Sequence, residues 1–316
     1  MIGDCNPDVL VLGDDVTPAF GQQEKLVDGI SLVIGGSGSI TAVAAARLGL
    51  RVALAAAVGD DPAGEFMLAQ LAGEGVGTSA VAVRRDTPTG MTVALSEGKD
   101  RAILTATGAM ATLTAQDVPA GLLAAARHVH VSSYFLMERS LGPGLGALLA
   151  TARAGGARTS LDTNWDPAQR WGDRSLFAAF EATDLLLPNE AEALHLSGAA
   201  TLAQAMTVLT AAGPELVIKL GARGALWAEG ARQYRAEPPP VTPADTTGAG
   251  DCFNAGVIAG LLGGLGLAGA VALGCATGAA STLGAGGTAA CADLAAAQAL
   301  ARGVTVGPAG LDLLSG

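Results

Sequence analysis

Along the chain the spacing of apolar positions switches between a period of two and a period of about four, and each switch marks an element. Asp8–Gly13 (DVLVLG) is a short apolar run of the kind found in a buried strand. Ser39–Leu48 (SITAVAAARL) is entered through glycines and stops at Gly49, which predicts a buried helix. Arg51–Val58 reads as a strand and Pro62–Ala72 as a helix with proline in its first turn. Thr89–Ser96 and Arg101–Thr105 alternate apolar and polar residues around Glu97-Gly98-Lys99-Asp100, a hairpin pattern.

From His128 onward the rhythm is strand followed by helix. The strands are His128–Ser132, Arg158–Asp162, Asp184–Leu187 and Glu215–Leu220. Such alternation predicts an α/β fold, a mostly parallel sheet covered by helices on both faces. Thr17–Val33 and Val81–Thr105 are β-rich and fall outside this rhythm. No low-complexity linker divides the chain, so residues 1–316 read as one domain, with Glu237-Pro238-Pro239-Pro240 as a rigid turn.

Composition narrows the classes. Half of the 316 residues are hydrophobic (50%) and only 15% are charged, enough to bury the core of one large domain. The 45 glycines, with many alanines, point to tight turns and closely packed helices. A net charge of −11 without a basic cluster argues against a nucleic-acid partner. Leu261–Leu283 is apolar but broken by Gly263, Gly264, Gly266, Gly269 and Gly274, so core helices are expected there and no membrane partner. No basic-then-apolar leader is visible, and a cytoplasmic location is expected. The cysteines Cys5, Cys252, Cys275 and Cys291 lack the spacing of a zinc site or a disulfide framework, which suits a reducing compartment. Cys252 adjoins Asp251, but no histidine is near in sequence, so a packing role is expected.

The chemistry concentrates in Asp245-Thr246-Thr247-Gly248-Ala249-Gly250-Asp251, which runs into an apolar helix. A Gly-Ala-Gly turn exposes backbone N–H groups, and the helix aims its positive dipole end at the same point. Together these seat an anion, most often a phosphate. A carboxylate at the mouth of that seat would repel a resting phosphate. Asp251 therefore reads either as a helix-start acid favoured by the dipole or as a base taking a proton from a hydroxyl that attacks phosphorus.

The run DTTGAGDCFNAG resembles the C-terminal motif of the ribokinase-like (PfkB) family of sugar and nucleoside kinases. The resemblance implies a three-layer sandwich with a central, mostly parallel sheet and a small β-rich lid, formed here by about residues 17–33 and 81–105. It implies that Asp251 is the catalytic base, that Gly248, Ala249 and Gly250 form the anion hole, and that ATP and Mg²⁺ are used. Asp245 and Thr247 take the place where several members frame a monovalent cation such as K⁺, and a homodimer through the lid is part of the same expectation.

Further segments extend the likeness to about Gly287. Gly35-Gly36-Ser37-Gly38, leading to Arg47-Leu48-Gly49, is similar to the family's N-terminal motif, where glycines let the backbone approach sugar hydroxyls. Ile40 stands where the family has an asparagine, and Pro18 where it has a sugar-binding aspartate, which leaves Asp14 and Asp15 as hydroxyl acceptors or turn residues. Asp162-Thr163-Asn164, at a strand's carboxyl end, resembles the Asp-x-Asn substrate segment of hexose-acid and ketose kinases in the family, with loop capping as the other reading. Asp166 replaces the arginine of sugar-acid kinases, so a neutral sugar is favoured. Asn189 and Glu192 read as a capping box and, by resemblance, as the organisers of Mg²⁺ through water. Lys219 and Gly221 would run along the nucleotide, and Cys275–Thr282 would wall its adenine.

Three rival functions remain. A nucleoside kinase would turn Ile40 toward a base. A non-catalytic sugar-binding protein is at odds with the intact Asp251. A nicotinamide oxidoreductase using Gly35–Gly38 lacks its third glycine, where Thr41 stands.

Overall fold

A computed structural model describes residues 1–97, 100–172, 174–230 and 232–310. The first half of the chain forms β1 (Asn6–Leu12), β2 (Gly29–Gly35), α1 (Ser37–Arg47), β3 (Ala53–Gly59), α2 (Pro62–Gly73), β4 (Gly77–Arg84), β5 (Met91–Glu97), β6 (Asp100–Ala106) and α3 (Ala120–Ala125). There follow β7 (His128–Val131), α4 (Tyr134–Ala154), β8 (Arg158–Leu161), α5 (Arg174–Glu181), β9 (Leu185–Leu186), α6 (Glu190–Ser197), α7 (Leu202–Ala211) and β10 (Glu215–Lys219). The chain closes with β11 (Ala225–Glu229), β12 (Arg232–Glu237), α8 (Ala249–Leu262), α9 (Leu267–Ser281), α10 (Leu294–Ala301) and β13 (Thr305–Pro308). The turn at Gly98 and Lys99 lies outside the described residues, as do residues 311–316.

One long sheet organises the molecule. Its strands run β13-β12-β11-β10-β9-β8-β7, and Ile2 then bridges in parallel to Val131 of β7 and Ala55 of β3, which joins the pair β3-β4. From β7 to β10 all neighbours are parallel, whereas β10 to β13 form an antiparallel edge. Alternate residues of the inner strands serve opposite layers, as the period of a strand requires. Leu186, Leu216 and Ile218 join α4, α5, α6 and α7 in one core. Leu185, Leu187 and Val217 pack with Phe253, Val257 and Val271 of α8 and α9 in another. The result is helix, sheet and helix.

The small residues of α8 and α9 have a purpose. A Cβ on Gly256 would sit 2.8 Å from Gly274 Cα, and one on Gly260 would sit 2.7 Å from Ala270 Cα. The two backbones touch. The apolar stretch 261–283 thus spans the end of α8, the α8–α9 turn and all of α9, and among the described residues no helix is long and apolar enough to cross a membrane.

A second sheet, ordered β2-β1-β5-β6, stands apart from the first. The two β-rich segments map onto it only in part. Residues 17–28 carry no strand, and Val81–Arg84 belong to β4, paired with β3 in the main sheet. The first strand begins earlier than its apolar run suggested, at Asn6, and pairs in the small sheet. Residues before it belong to the main one, since Ile2 N donates to His130 O at 2.8 Å and Gly3 N to Ala55 O at 3.1 Å. The chain changes sheets between Gly3 and Asn6, and the main cleft opens beside that crossing.

Candidate active site

The cleft has a volume of about 1070 Å³ and is walled by the small sheet, the carboxyl ends of β7 and β8, and the start of α8. Gly248 is the N-cap of α8, with a left-handed φ of 72°. A side chain there is excluded twice, because a Cβ would lie 2.7 Å from Gly287 Cα. Asp245 fastens this turn. One carboxylate oxygen accepts from Thr247 N at 2.9 Å and Thr247 Oγ1 at 2.7 Å, and the other accepts from Gly286 N at 2.8 Å. Ala249 N already donates to Thr246 O at 3.3 Å, so the first-turn donors offered to an anion narrow to Gly250 and Asp251.

Asp251 lines the cleft and is 7% exposed. Burial holds its carboxyl well above the usual carboxylate range. The neighbouring Asp162 and Asp4 push it the same way, while Lys219 and a hydrogen bond with Ser37 oppose the shift. A carboxylate raised in this way is a stronger base when ionised.

Beneath the turn sits a buried charge cluster. Lys219 Nζ forms an ion pair with Asp162, whose carboxylate also accepts from Asn254 Nδ2 at 2.6 Å. A Cβ on Gly250 would meet Lys219 Nζ at 3.4 Å, so the ammonium lies against the anion-seat turn. Asp162 itself is fully buried and outside the cleft lining, which corrects its reading as a substrate contact: it holds Lys219 from below. Glu192 closes the cluster. It accepts from Asn189 N at 2.7 Å, while Asn189 Oδ1 accepts from Glu192 N at 2.9 Å, completing the capping box of α6. Burial, then Asp162, raises the Glu192 carboxyl to about 7. Both residues line the cleft and offer oxygen donors of the kind Mg²⁺ takes. Among the described residues, no group of three or more His, Cys, Asp and Glu side chains gathers to hold a metal by itself.

On the small-sheet side the wall is polar. Asp4, Asn6 and Asp8 line it, the residues at which the chain crosses between sheets. Asn6 Nδ2 donates to Asp8 Oδ1 at 3.2 Å and to Thr92 Oγ1 at 3.1 Å. Gly35 makes room for this group, since a Cβ there would fall 1.9 Å from Asp8 Oδ1. These three residues replace Asp14, which is exposed beyond the far end of β1 and does not line the cleft. Asp15 is likewise outside it, paired with Lys25 at 2.5 Å. The alternation of β1 gave no sign that its first residues, rather than its last, meet the cleft.

Gly36, Ser37 and Asn164 line the cleft. Ser133 joins them; it and Asn164 both have φ of 56°, left-handed and uncommon for side-chain-bearing residues. Asp166 is buried and accepts from the backbone N–H groups of Ala168, Arg170 and Trp171 at 2.7–2.8 Å. It shapes the loop and does not face the cleft, contrary to the argument drawn from its position. Trp165 does line the cleft and is 47% exposed, braced edge-on by Trp171 at 4.8 Å. Ile40 touches the cleft but mainly supports the turn, since its Cγ2 would lie 3.0 Å from a Cβ on Gly248. The far end of the cleft is bounded by Gly221, Pro238–Pro240 and, from α9 and its C-cap, Cys275, Gly278, Ala279 and Thr282.

Residues 2–295 match the model of the pfkB family carbohydrate kinases. A ribokinase of Bacillus subtilis is 31% identical over 265 residues, covering 84% of this chain and 85% of the relative. A fructokinase of Salmonella typhimurium is 31% identical over 267 residues, covering 81% and 85%. A solved structure of a putative ribokinase II from E. coli, in complex with ATP and Mg²⁺, superposes with a TM-score of 0.83 at 25% identity, covering 95% of this chain and 97% of that one.

Proposed function

The chain belongs to the pfkB family of carbohydrate kinases, and from that premise we propose that it transfers the γ-phosphoryl group of ATP to a hydroxyl of a neutral sugar, with Asp251 as the base. The observation that carries this reading is the position of Asp251. It is a buried carboxylate on the first turn of α8, in one cleft with the polar wall of Asp4, Asn6 and Asp8. The acceptor hydroxyl gives its proton to Asp251 as its oxygen attacks phosphorus, and ADP leaves on the opposite side. N–H groups of Gly250 and Asp251, together with the helix dipole and the Lys219 ammonium below, stabilise the charge on the transferring group.

Asn189 and Glu192 would hold Mg²⁺ through its water shell, consistent with their oxygen donors at the cleft wall. Mg²⁺, when bound, neutralises charge on the phosphate oxygens. Asp245 ties Thr247 to Gly286, so the activity is to be compared in K⁺ and Na⁺ buffers. The half-exposed Trp165 offers an apolar face for the carbon side of the sugar, and it is also the feature that favours a nucleoside as the second reading. The small sheet, read as the lid, exposes Ile30, Leu32 and Leu104, apolar positions that a second copy would cover.

The test is Asp251→Asn. Turnover should fall roughly 10²–10⁴-fold while ATP affinity stays close to the parent value, because only proton abstraction is removed. Near-normal sugar-dependent ADP release in this variant would sink the assignment.

A further inference from the structure

Cys252 and Cys291 stand 39 positions apart, yet their sulfurs approach to 3.1 Å behind the anion-seat turn. We propose that these two thiols are a redox modification site, at which a peroxide closes a disulfide that strains the Gly248–Asp251 turn and slows catalysis. The site itself is independent of the kinase reading; only its effect on turnover rests on that reading.

The geometry favours oxidation here over the other thiols. Cys252 is buried on the first turn of α8, next to Asp251, whereas Cys291 is half-buried and so within reach of a small oxidant. Both sulfurs lie near Gly287 O, at 3.7 and 3.5 Å. Arg47 braces the Cys291 side, donating to Thr288 O at 2.6 Å and to Cys291 O at 3.4 Å. The hydrogen bond from Cys252, aided by the Arg47 charge, lowers the Cys291 thiol below its ordinary range. The same pairing and burial raise Cys252. Burial pushes Cys5 and Cys275 up to about 12, which leaves them inert.

The reaction balances. The Cys291 thiolate attacks one peroxide oxygen, the O–O bond breaks, and hydroxide leaves, giving a sulfenic acid. The Cys252 sulfur then attacks that sulfur, the S–O bond breaks, and its proton goes out with the departing oxygen as water. Two thiols lose two electrons and two protons, and one peroxide becomes two waters.

The consequence follows from packing. A disulfide has its sulfurs about 2 Å apart, so bonding must draw the two segments together by roughly 1 Å. There is little slack. Gly287, between the sulfurs and the turn, already abuts Gly248, and a Cβ on Gly287 would lie 2.4 Å from Ile40 Cδ1. Close-packed interiors pass such a movement on, and the segment pressed is the one that carries Asp251.

Purified protein should be exposed to hydrogen peroxide under native conditions, digested without reductant and weighed. A peptide pair joined through Cys252 and Cys291, lighter by two hydrogens, is expected. Sugar-dependent ADP release should fall about tenfold or more and return with dithiothreitol, since misplacing a reacting group by an ångström has costs of that order. Cys291→Ser should show normal activity before oxidant and resist the loss. Absence of the linked peptides overturns the site. Linkage without loss of turnover overturns the coupling to the turn, as does equal loss in Cys291→Ser. Should no sugar support turnover in untreated protein, the kinase reading fails while the peptide masses still decide the thiol pair.

Discussion

Asn164 donates its side-chain amide to Ser37 Oγ at 3.0 Å, tying the loop after β8 to the first residue of α1 across 127 positions of sequence. Its carbonyl oxygen accepts from Ser133 N at 2.8 Å, so one amide binds three cleft segments. Ser133 and Asn164 are both left-handed, a conformation that costs on the order of 1–3 kcal/mol each and persists only where the surroundings hold it. Asn164→Ala should therefore raise the sugar KM about tenfold, since one lost hydrogen-bonding group in a substrate wall has an effect near this size. The ATP KM should stay within error. Steady-state kinetics with each substrate varied separately checks this, and a change confined to ATP would place Asn164 on the other side of the cleft.

Lys219 and Asp162 form a buried pair, and breaking such a pair from one side leaves a charge uncompensated. Lys219→Met should lower unfolding stability by about 3–5 kcal/mol, and the double variant Asp162→Asn/Lys219→Met should recover much of that. Urea denaturation of the three proteins gives the comparison. Activity separates two roles for the lysine. If its charge supports the transferring phosphoryl group, the double variant regains stability yet remains slow; if it serves only to hold Asp162, both recover together.

The turn and helix at Gly248–Asp251 and the box of Asn189 and Glu192 could be read from the sequence because each is a local pattern. The residues that cap, turn and start the helix lie within a few positions of one another. Asp4, Asn6 and Asp8 could not. Their side chains reach the cleft because the first strand divides between two sheets, and that division depends on Ile2 pairing with Ala55 and Val131 far along the chain. Alternation identifies a strand but not which end of it meets a cavity. The same limit misread Pro18 as a missing carboxylate, and Asp166, a loop cap, as a group facing the substrate. The approach of Cys252 to Cys291 has no signal in spacing at all.

Glu192 links pH to both stability and metal use. Its carboxyl is raised from the ordinary value of 4.5 to about 7, so the folded state holds a proton that the unfolded chain has already released. Unfolding then releases a proton between these values, and stability falls as pH rises from about 4.5 to 7. Glu192→Gln keeps an oxygen for the box and removes this penalty. It should be indistinguishable from the parent near pH 4 and more stable by on the order of 1–3 kcal/mol at pH 8, measured by thermal unfolding. The same variant should need more Mg²⁺ for half-maximal activity, and the parent's own requirement should rise as pH drops through 7. An unchanged Mg²⁺ titration would reduce Glu192 to a helix cap.

The proposed neutrality of the substrate can be tested against the lining of the cleft. Asp4, Asp8 and Asp251 line it, and among the described residues the only lysine or arginine lining it is Lys219, already committed to Asp162. A sugar acid would bring its carboxylate to a wall of carboxylates with no free cation to meet it, and such like-charge placement costs several kcal/mol. Neutral sugars with several hydroxyls suit Asp4, Asn6 and Asp8, since a wall that hydrogen-bonds hydroxyls discriminates strongly against substrates lacking them. Asp4, Asn6 and Asp8 line the cleft although Pro18 stands where the family has an aspartate, so the wall offers carboxylates to a pentose such as ribose as well as to a hexose. Fructose and ribose should accordingly exceed 2-keto-3-deoxygluconate in kcat/KM by about 10²-fold or more, with adenosine in the same panel as the measure of the nucleoside reading. A keto-acid that ranks first would overturn the electrostatic reading of the wall, while sugar-dependent ADP release from any member of the panel would leave the kinase assignment standing.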